Sequence, residues 1–231
     1  MENHMDQQPN MSANYTWSYS SISLFQQCPR KYYRLRVTKD VVEPPQEHLR
    51  YGSAVHKAAE DYISLDAPLH PDYEFMRPQL DVLKKLPGTK YCEYEMGLTK
   101  EFEPCKFNAP DVWARGIADL LVINDNRARI VDYKTGKSQY ADTKQLELLS
   151  LLVFKHFPYV THVKAGLVFV VAHDLVTADY AQEKSDEYWM RWLPEIDRLE
   201  QCFASNTWNP KQNFTCKKFC PVTDCEHNGR S

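Results

Sequence analysis

The stretch ARGIADLLVINDNRARIVDYKTGK, residues 114–137, reads as two strands joined by a tight turn. A strand with one buried face keeps that face apolar. Here Asp119 interrupts the first strand and Asp132 the second, with Lys134 two residues further on. The turn NDNR centres between Asp125 and Asn126, and Asx-rich pairs favour two-residue hairpin turns. That centre sets Asn124 opposite Arg127, Leu121 opposite Ile130 and Asp119 opposite Asp132. The side-chain period of two puts Ile117, Asp119 and Leu121 on one face, with Ile130, Asp132 and Lys134 on the same face of the partner strand. The two carboxylates then stand side by side, their Cβ atoms about 4.5–5.5 Å apart. Like charges placed directly opposite destabilise a sheet, so something must offset them. A divalent cation does so, because hard cations prefer several carboxylate oxygens. A structural ion pair with Lys134 is the alternative.

The elements around the hairpin alternate between helix and strand, which predicts an α/β (α+β) fold. Residues 17–37 read as helix with a break near Cys28, ahead of Pro29. Residues 47–63 read as a helix whose inward stripe runs Leu49, Gly52, His56, Ala59, Ile63. His56 lies between small neighbours on that stripe. A lone inward histidine is usually a hydrogen-bonded core residue, but beside an acid pair it is a candidate ligand. Residues 72–86 are a further helix candidate, 91–98 a strand, 143–157 a helix apolar nearly all round, 163–172 a buried strand and 186–203 an amphipathic helix containing Pro194.

The chain has 231 residues, 43% of them hydrophobic, enough for one sizeable core. A net charge of −3 gives no global attraction to nucleic acid, so any basic surface must be local. Residues 1–15 are polar and expected to form a disordered tail, without the pattern of a signal peptide, and 16–231 a single domain with a cysteine-rich segment over 208–231. The longest apolar run, GLVFVVA, is too short to span a bilayer. No membrane association is therefore expected. The expected location is cytoplasmic, where seven cysteines stay reduced.

GSAVHKAAE (52–60), GIAD (116–119), DYKTGK (132–137) and QLELL (145–149), in that order, resemble the RecB-type branch of the PD-(D/E)XK nucleases. The resemblance runs from about Ser20 to the C-terminus and implies a restriction-endonuclease-like core, a mixed sheet flanked by helices. It implies metal ligation by His56, Asp119, Asp132 and the backbone carbonyl of Tyr133, with Mg²⁺ or Mn²⁺ as the ion. Lys134 would match the family's catalytic lysine and Gln145 its motif glutamine, while Leu149 stands where that motif usually carries tyrosine. A glutamate from the preceding strand often joins the site; Glu93 is the first choice and Glu95 the second. The implied activity is metal-dependent DNA cleavage. It would be an exonuclease acting on single strands or free ends in repair, recombination or phage-type DNA processing, with a helicase or recombination protein as a possible partner and a bacterial or phage-infected host cytosol as its setting. A non-catalytic nucleic-acid-binding module is the alternative.

CKKFCPVTDCEHNG places Cys216, Cys220 and Cys225 within ten residues, a pattern for metal in a reduced protein. His227 would complete a zinc site. Cys28 would instead complete an iron–sulfur site joining the N- and C-terminal segments. The second arrangement resembles an iron-stapled subgroup of the RecB-type nucleases, including AddB and the CRISPR-associated adaptation nucleases, with one cysteine before the nuclease motifs and three after. CPRKYY around Cys28 looks like that first cysteine, so a structural [4Fe–4S] cluster is favoured over Zn²⁺. The spacing of three and then four residues between the last cysteines departs from the subgroup's usual one. RKYYRLRVTK (30–39) brings Arg30, Lys31, Arg34 and Arg36 together with two tyrosines, a composition suited to single-stranded nucleic acid. A solvated helix face is the other reading of that run. Lys217 and Lys218 could extend the same surface.

Overall fold

The structure, a computed structural model, describes residues 15–44 and 46–229. The expected disordered tail, Tyr15 apart, lies outside the described residues. In chain order come helices α1 (Tyr19–Gln27) and α2 (Pro29–Tyr32), then a π-helical turn, Tyr33–Val37. Pro29 starts α2 because a missing N–H costs nothing in a first helical turn. Helices α3 (Glu47–Ser64) and α4 (Arg77–Lys84) follow, then strands β1 (Thr89–Leu98), β2 (Pro104–Cys105), β3 (Ala114–Asn124) and β4 (Arg127–Lys134). Helix α5 (Lys144–His156), strands β5 (His162–Phe169) and β6 (Asp174–Ala181) and helix α6 (Ser185–Ser205) complete the order. No helix among the described residues is long and apolar enough to cross a membrane. The described chain divides into two compact units.

The larger unit holds residues 17–19 and 44–191. Its sheet runs β2-β1-β3-β4-β5-β6, antiparallel throughout except for the parallel pair β4–β5. Parallel neighbours need a crossover, and α5 supplies it. Helices α3 and α4 pack Val55, Ala59, Tyr62 and Leu80 against Leu120, Val122, Val131 and Tyr133. Leu49 is exposed, so the inward stripe of α3 begins a turn later than its sequence suggests. Helix α5 is buried continuously from Leu146 to Phe154, as its apolar sequence predicts. The one carboxylate in that run, Glu147, is paired with Arg191 at 2.5 Å, because a charge is not buried without a partner. Leu149 and Leu152 press on Gly116 of β3, where an added Cβ would meet a methyl of each at 2.8 Å. Sequence patterning did not point to β6. Four of its eight residues are exposed and only Tyr180 is buried, so no apolar face marks it.

The smaller unit holds the described residues up to 16, with 20–43 and 192–229. Its centre is aromatic. Phe25, Tyr32 and Phe203 meet Trp208 at ring-centroid distances of 6.5, 5.9 and 5.0 Å, and Tyr33 stacks on Trp208 at 5.0 Å. The C-terminal tail is tied back to α1 and α2. Asn213 Nδ2 donates to the carbonyl of Gln27 at 3.2 Å, and Lys211 Nζ to that of Gln26 at 2.9 Å.

Candidate active site

The hairpin forms with the expected two-residue turn, Asp125 at φ 51° and Asn124 opposite Arg127. The β3–β4 ladder runs from that pair to Leu120↔Val131 and stops there. Asp119 and Asp132 are therefore not a paired position. The backbone opens, and Asp119 Oδ2 accepts the N–H of Tyr133 at 2.7 Å in place of the next ladder bond. The β1–β3 ladder is interrupted at the same level. It pairs Cys92 with Leu120 and Tyr94 with Ala118, skipping Glu93 and Asp119. Glu93 has φ 48°, a left-handed conformation costly for a side-chain-bearing residue.

Side-chain alternation inverts there. Tyr91 and Tyr94, three residues apart, both lie against Phe157 at 6.0 and 5.6 Å, while Cys92 packs with the α3 cluster. The face predicted for Asp119 from simple alternation is corrected by this inversion, which brings it to His56 of α3. His56 Nδ1 lies 3.3 Å from Asp119 Oδ2, and Nε2 lies 2.8 Å from the carbonyl oxygen of Tyr133. Ligand atoms of His56, Glu93 and Asp119 all fall within 4.8 Å of one another. Glu95 sits on the far side of the interruption, opposite Ile117.

Asp132, Lys134 and Gln145 form a second group. Gln145, in the first turn of α5, donates through Nε2 to Asp132 Oδ1 at 2.6 Å and accepts from Lys134 Nζ at 3.0 Å. Lys134 Nζ lies 2.6 Å from Asp132 Oδ2. That oxygen is buried, with the Lys134 ammonium beside it. Tyr133 joins the groups, its N–H on Asp119 and its carbonyl on His56.

The electrostatics record a site short of positive charge. Asp132 is 2% exposed. Burial, and then the charge of Asp119, push its carboxyl up to about 6, against the pull of Lys134. Glu93 is raised by burial and by Asp119. The hydrogen bond that His56 donates to Asp119 raises its pKa, and both of its ring nitrogens face acceptors, so the imidazolium fits here. Carboxylate oxygens of Glu93 and Asp119 and a ring nitrogen of His56, close together beside the backbone carbonyl of Tyr133, are donors for a hard divalent cation, and the residues fit Mg²⁺ or Mn²⁺. Two neighbours carried no sequence signal. Glu60 of α3 raises Glu93 further. Tyr19 donates to Asp142 Oδ2 at 3.2 Å, and burial, then Asp142 and Asp132, push its hydroxyl up to about 12.

Cys28, Cys216, Cys220 and Cys225 are all free, all buried, and line one small cavity of the smaller unit, which His227 also borders. The backbone N–H of Lys211 points at Cys28 Sγ (3.4 Å) and that of Asn213 at Cys216 Sγ (3.3 Å). The other cysteines, Cys92, Cys105 and Cys202, lie outside that cavity. In the basic run, Arg30 pairs with Glu226 at 2.5 Å and Lys31 with Glu43 at 3.2 Å. Arg34 pairs with Asp40 at 2.7 Å and Asp224 at 2.8 Å. Among the described residues Arg36 alone of the four has no acidic partner, and it is exposed.

The sequence profile of the PD-(D/E)XK nuclease superfamily matches residues 16–86 and 74–225. No curated protein matches the chain. Among solved structures, a "putative exonuclease" from Eubacterium rectale superposes with a TM-score of 0.54 at 12% identity, over 98% of this chain and 92% of that one. The protein SSO0001 superposes with a TM-score of 0.40 at 14% identity, over 91% of this chain and 85% of that one, too distant to carry an argument. At its identity the first likeness speaks for the fold. The profile spans the opened hairpin, the helix bearing His56 and the helix bearing Gln145, and on that match the chain belongs to the PD-(D/E)XK nuclease superfamily.

Proposed function

We propose that the protein is a divalent-metal-dependent deoxyribonuclease that works as an exonuclease on single-stranded DNA or DNA ends. The observation that carries this reading is the opened end of the hairpin. Asp119 and Asp132 flank Tyr133 there, with His56 and Lys134 within hydrogen-bond reach of them. His56, Glu93, Asp119, Asp132 and the carbonyl of Tyr133 would hold the ion. When bound, Mg²⁺ or Mn²⁺ supplies charge neutralisation at the scissile phosphate and raises the acidity of water. Lys134, held by Asp132 and Gln145, keeps an ammonium beside the acids, where it orients a water and stabilises developing negative charge. Gln145 is a positioning residue that fixes Lys134 against Asp132.

The same reading gives the smaller unit a structural [4Fe–4S] cluster on Cys28, Cys216, Cys220 and Cys225. Buried thiols around one cavity with backbone N–H groups on two sulfurs support it. A single zinc holds its sulfurs roughly 3.8 Å apart, from a Zn–S bond of about 2.3 Å and tetrahedral geometry. Among the described residues no three of these cysteines, with or without His227, bring their ligand atoms within 4.8 Å of one another, so the sulfurs do not stand at the spacing of a bound zinc.

The test is cleavage of end-labelled single- and double-stranded DNA under anaerobic conditions with Mg²⁺, Mn²⁺ or EDTA. The wild type is expected to shorten single strands from an end only with metal. Asp132→Ala should abolish this, and Lys134→Ala should slow it by about 10²–10³-fold, the usual cost of one charge-stabilising donor. Cutting of circular single strands would replace exonuclease by endonuclease action. Absence of metal-dependent cleavage by the iron-loaded wild type would refute the reading.

A further inference from the structure

Helix α5 is fixed by burial along most of its length, continuously from Leu146 to Phe154. Its first turn, which carries Gln145, lies outside that run. The loop leading into it is exposed at Gly136, Lys137, Gln139 and Tyr140, and nothing stands within 4 Å of where a Cβ on Gly136 would be. Thr143, at the cap position of α5, makes no side-chain capping bond. Yet Gln145 meets both Asp132 and Lys134 at hydrogen-bonding distance. The N–H groups of a first helical turn have no partners inside the helix, so the turn must be tied down from outside.

A carboxylate and two hydroxyls do this. Asp142 Oδ1 accepts the N–H of Lys144 at 3.0 Å, which sets a negative charge at the positive end of the helix. Tyr19 donates its hydroxyl to the other oxygen, Oδ2, at 3.2 Å. Tyr180 of β6 donates to the carbonyl of Thr143 at 3.2 Å. Tyr19 is itself held from behind by Trp17, two residues earlier and fully buried. Trp17 bridges to Ala114: its N–H donates to the carbonyl of Trp113 at 2.9 Å, and its own carbonyl accepts the N–H of Arg115 at 2.9 Å. Burial, and then Asp142, push the Tyr19 hydroxyl up to about 12, so it remains a donor at neutral pH.

We propose that Tyr19 and Asp142 are positioning residues for the cleavage reaction: they clamp the first turn of α5 and, through Gln145, hold Lys134 against Asp132. The role rests on the nuclease reading; the hydrogen bonds of the clamp do not. The path is continuous. It runs from the Tyr19 hydroxyl to Asp142 and the N–H of Lys144, then through the side chain of the next residue, Gln145, to Lys134 Nζ at 3.0 Å and Asp132 Oδ1 at 2.6 Å. Lys134 needs such support. Its side chain is 34% exposed, and a flexible four-carbon stem offers the ammonium other positions in water. Gln145 selects the one beside Asp132, and the clamp keeps Gln145 in reach.

The experiment measures kcat and KM on end-labelled single-stranded DNA with Mn²⁺, alongside amide hydrogen exchange of residues 144–147 in EDTA. Tyr19→Phe keeps the ring and removes only the hydroxyl. It is expected to lower kcat about two- to tenfold, the size of one hydrogen bond, with KM unchanged and exchange in the first turn of α5 faster. Gln145→Ala should lower kcat further, and adding Tyr19→Phe to it should lower kcat no more, because the clamp acts through Gln145. Asp142→Asn keeps an oxygen for the N–H of Lys144, so it should retain more of kcat and of the exchange protection than Asp142→Ala. Melting temperatures equal to wild type certify that the variants fold. An unchanged kcat in Tyr19→Phe, or a loss that multiplies with that of Gln145→Ala, overturns the proposal and leaves the nuclease reading standing. Wild type that never cleaves DNA with metal refutes the nuclease reading, and the role proposed for the clamp falls with it.

Discussion

Asp132 and His56 both favour the protonated form, Asp132 through burial and then the charge of Asp119, His56 through its hydrogen bond to Asp119. For Asp132 the folded value of about 6 lies above the ordinary 3.8. Its contribution to stability is therefore full below the ordinary value and is lost as pH rises through about 6. For His56 the folded value is raised above 6.5, so its contribution is full below 6.5 and is lost as pH rises through the raised value. The two effects have the same sign: metal-free protein should melt at progressively lower temperature as pH rises from about 5 to about 8. A bound cation replaces those protons, so its effect has the opposite pH dependence. Thermal melts with Ca²⁺ or Mn²⁺ against EDTA should show a clear upward shift at about pH 8 that shrinks toward about pH 5. A metal shift independent of pH would mean that the ion sits elsewhere.

The interruption shared by β1 and β3 is what turns a hairpin into a site. Without it Asp119 would face α5 beside Asp132, and two like charges would stand in contact. With it, Asp119 meets His56 and the N–H of Tyr133, and Asp132 keeps Gln145 and Lys134. Helix α5 must lie close to the sheet for Gln145 to reach, and Gly116 provides the clearance for Leu149 and Leu152. Leu149, where the family motif usually carries tyrosine, is thus a packing residue at 3% exposure, and Gln145 supplies the polar contact from this helix. Gly116→Ala is expected to cost about 1–3 kcal/mol in urea melts through overpacking. Turnover should fall with it, as α5 withdraws Gln145 from Lys134. Unchanged stability would show that the leucine methyls yield freely.

Within the smaller unit, residues far apart in the chain depend on one another. Cys28 and the three tail cysteines enclose one cavity, and Arg30 and Arg34 reach the tail's acids. The exposed ion pairs contribute little by themselves, on the order of 0–1 kcal/mol each. If the proposed iron–sulfur cluster is present, it should therefore dominate the anchoring of the tail. Cys28→Ser is expected to bleach the brown absorption, lower iron from about four atoms per chain and open residues 209–229 to protease. The metal-dependent melting shift of the hairpin site should persist, because none of its ligands is a cysteine. A colourless wild type containing one zinc per chain would replace the iron cluster by the zinc site.

Local chemistry was readable along the chain. Asn and Asp at 124–126 imposed the two-residue turn, and the turn imposed the pairing of Leu121 with Ile130. Pro29 marked the break at Cys28, and the unbroken apolar run of α5 marked a buried helix. Asp119, Asp132, Lys134 and His56 stood out because polar residues on apolar elements need a reason, whereas Gln145 and Glu93 entered only through the resemblance to the nuclease motifs. Three things required the folded chain. The inversion at Glu93 and Asp119 depends on two strands yielding together, and period-two alternation carries no sign of it. Strand β6 depends on hydrogen bonds to β5 and has no apolar face of its own to announce it. The pairing of Arg30 and Arg34 with Glu226 and Asp224 links residues 190 or more positions apart. A charge run read in isolation counts cations; only the fold brings in the anions that neutralise them, because Coulomb attraction depends on distance through space and is indifferent to distance along the chain.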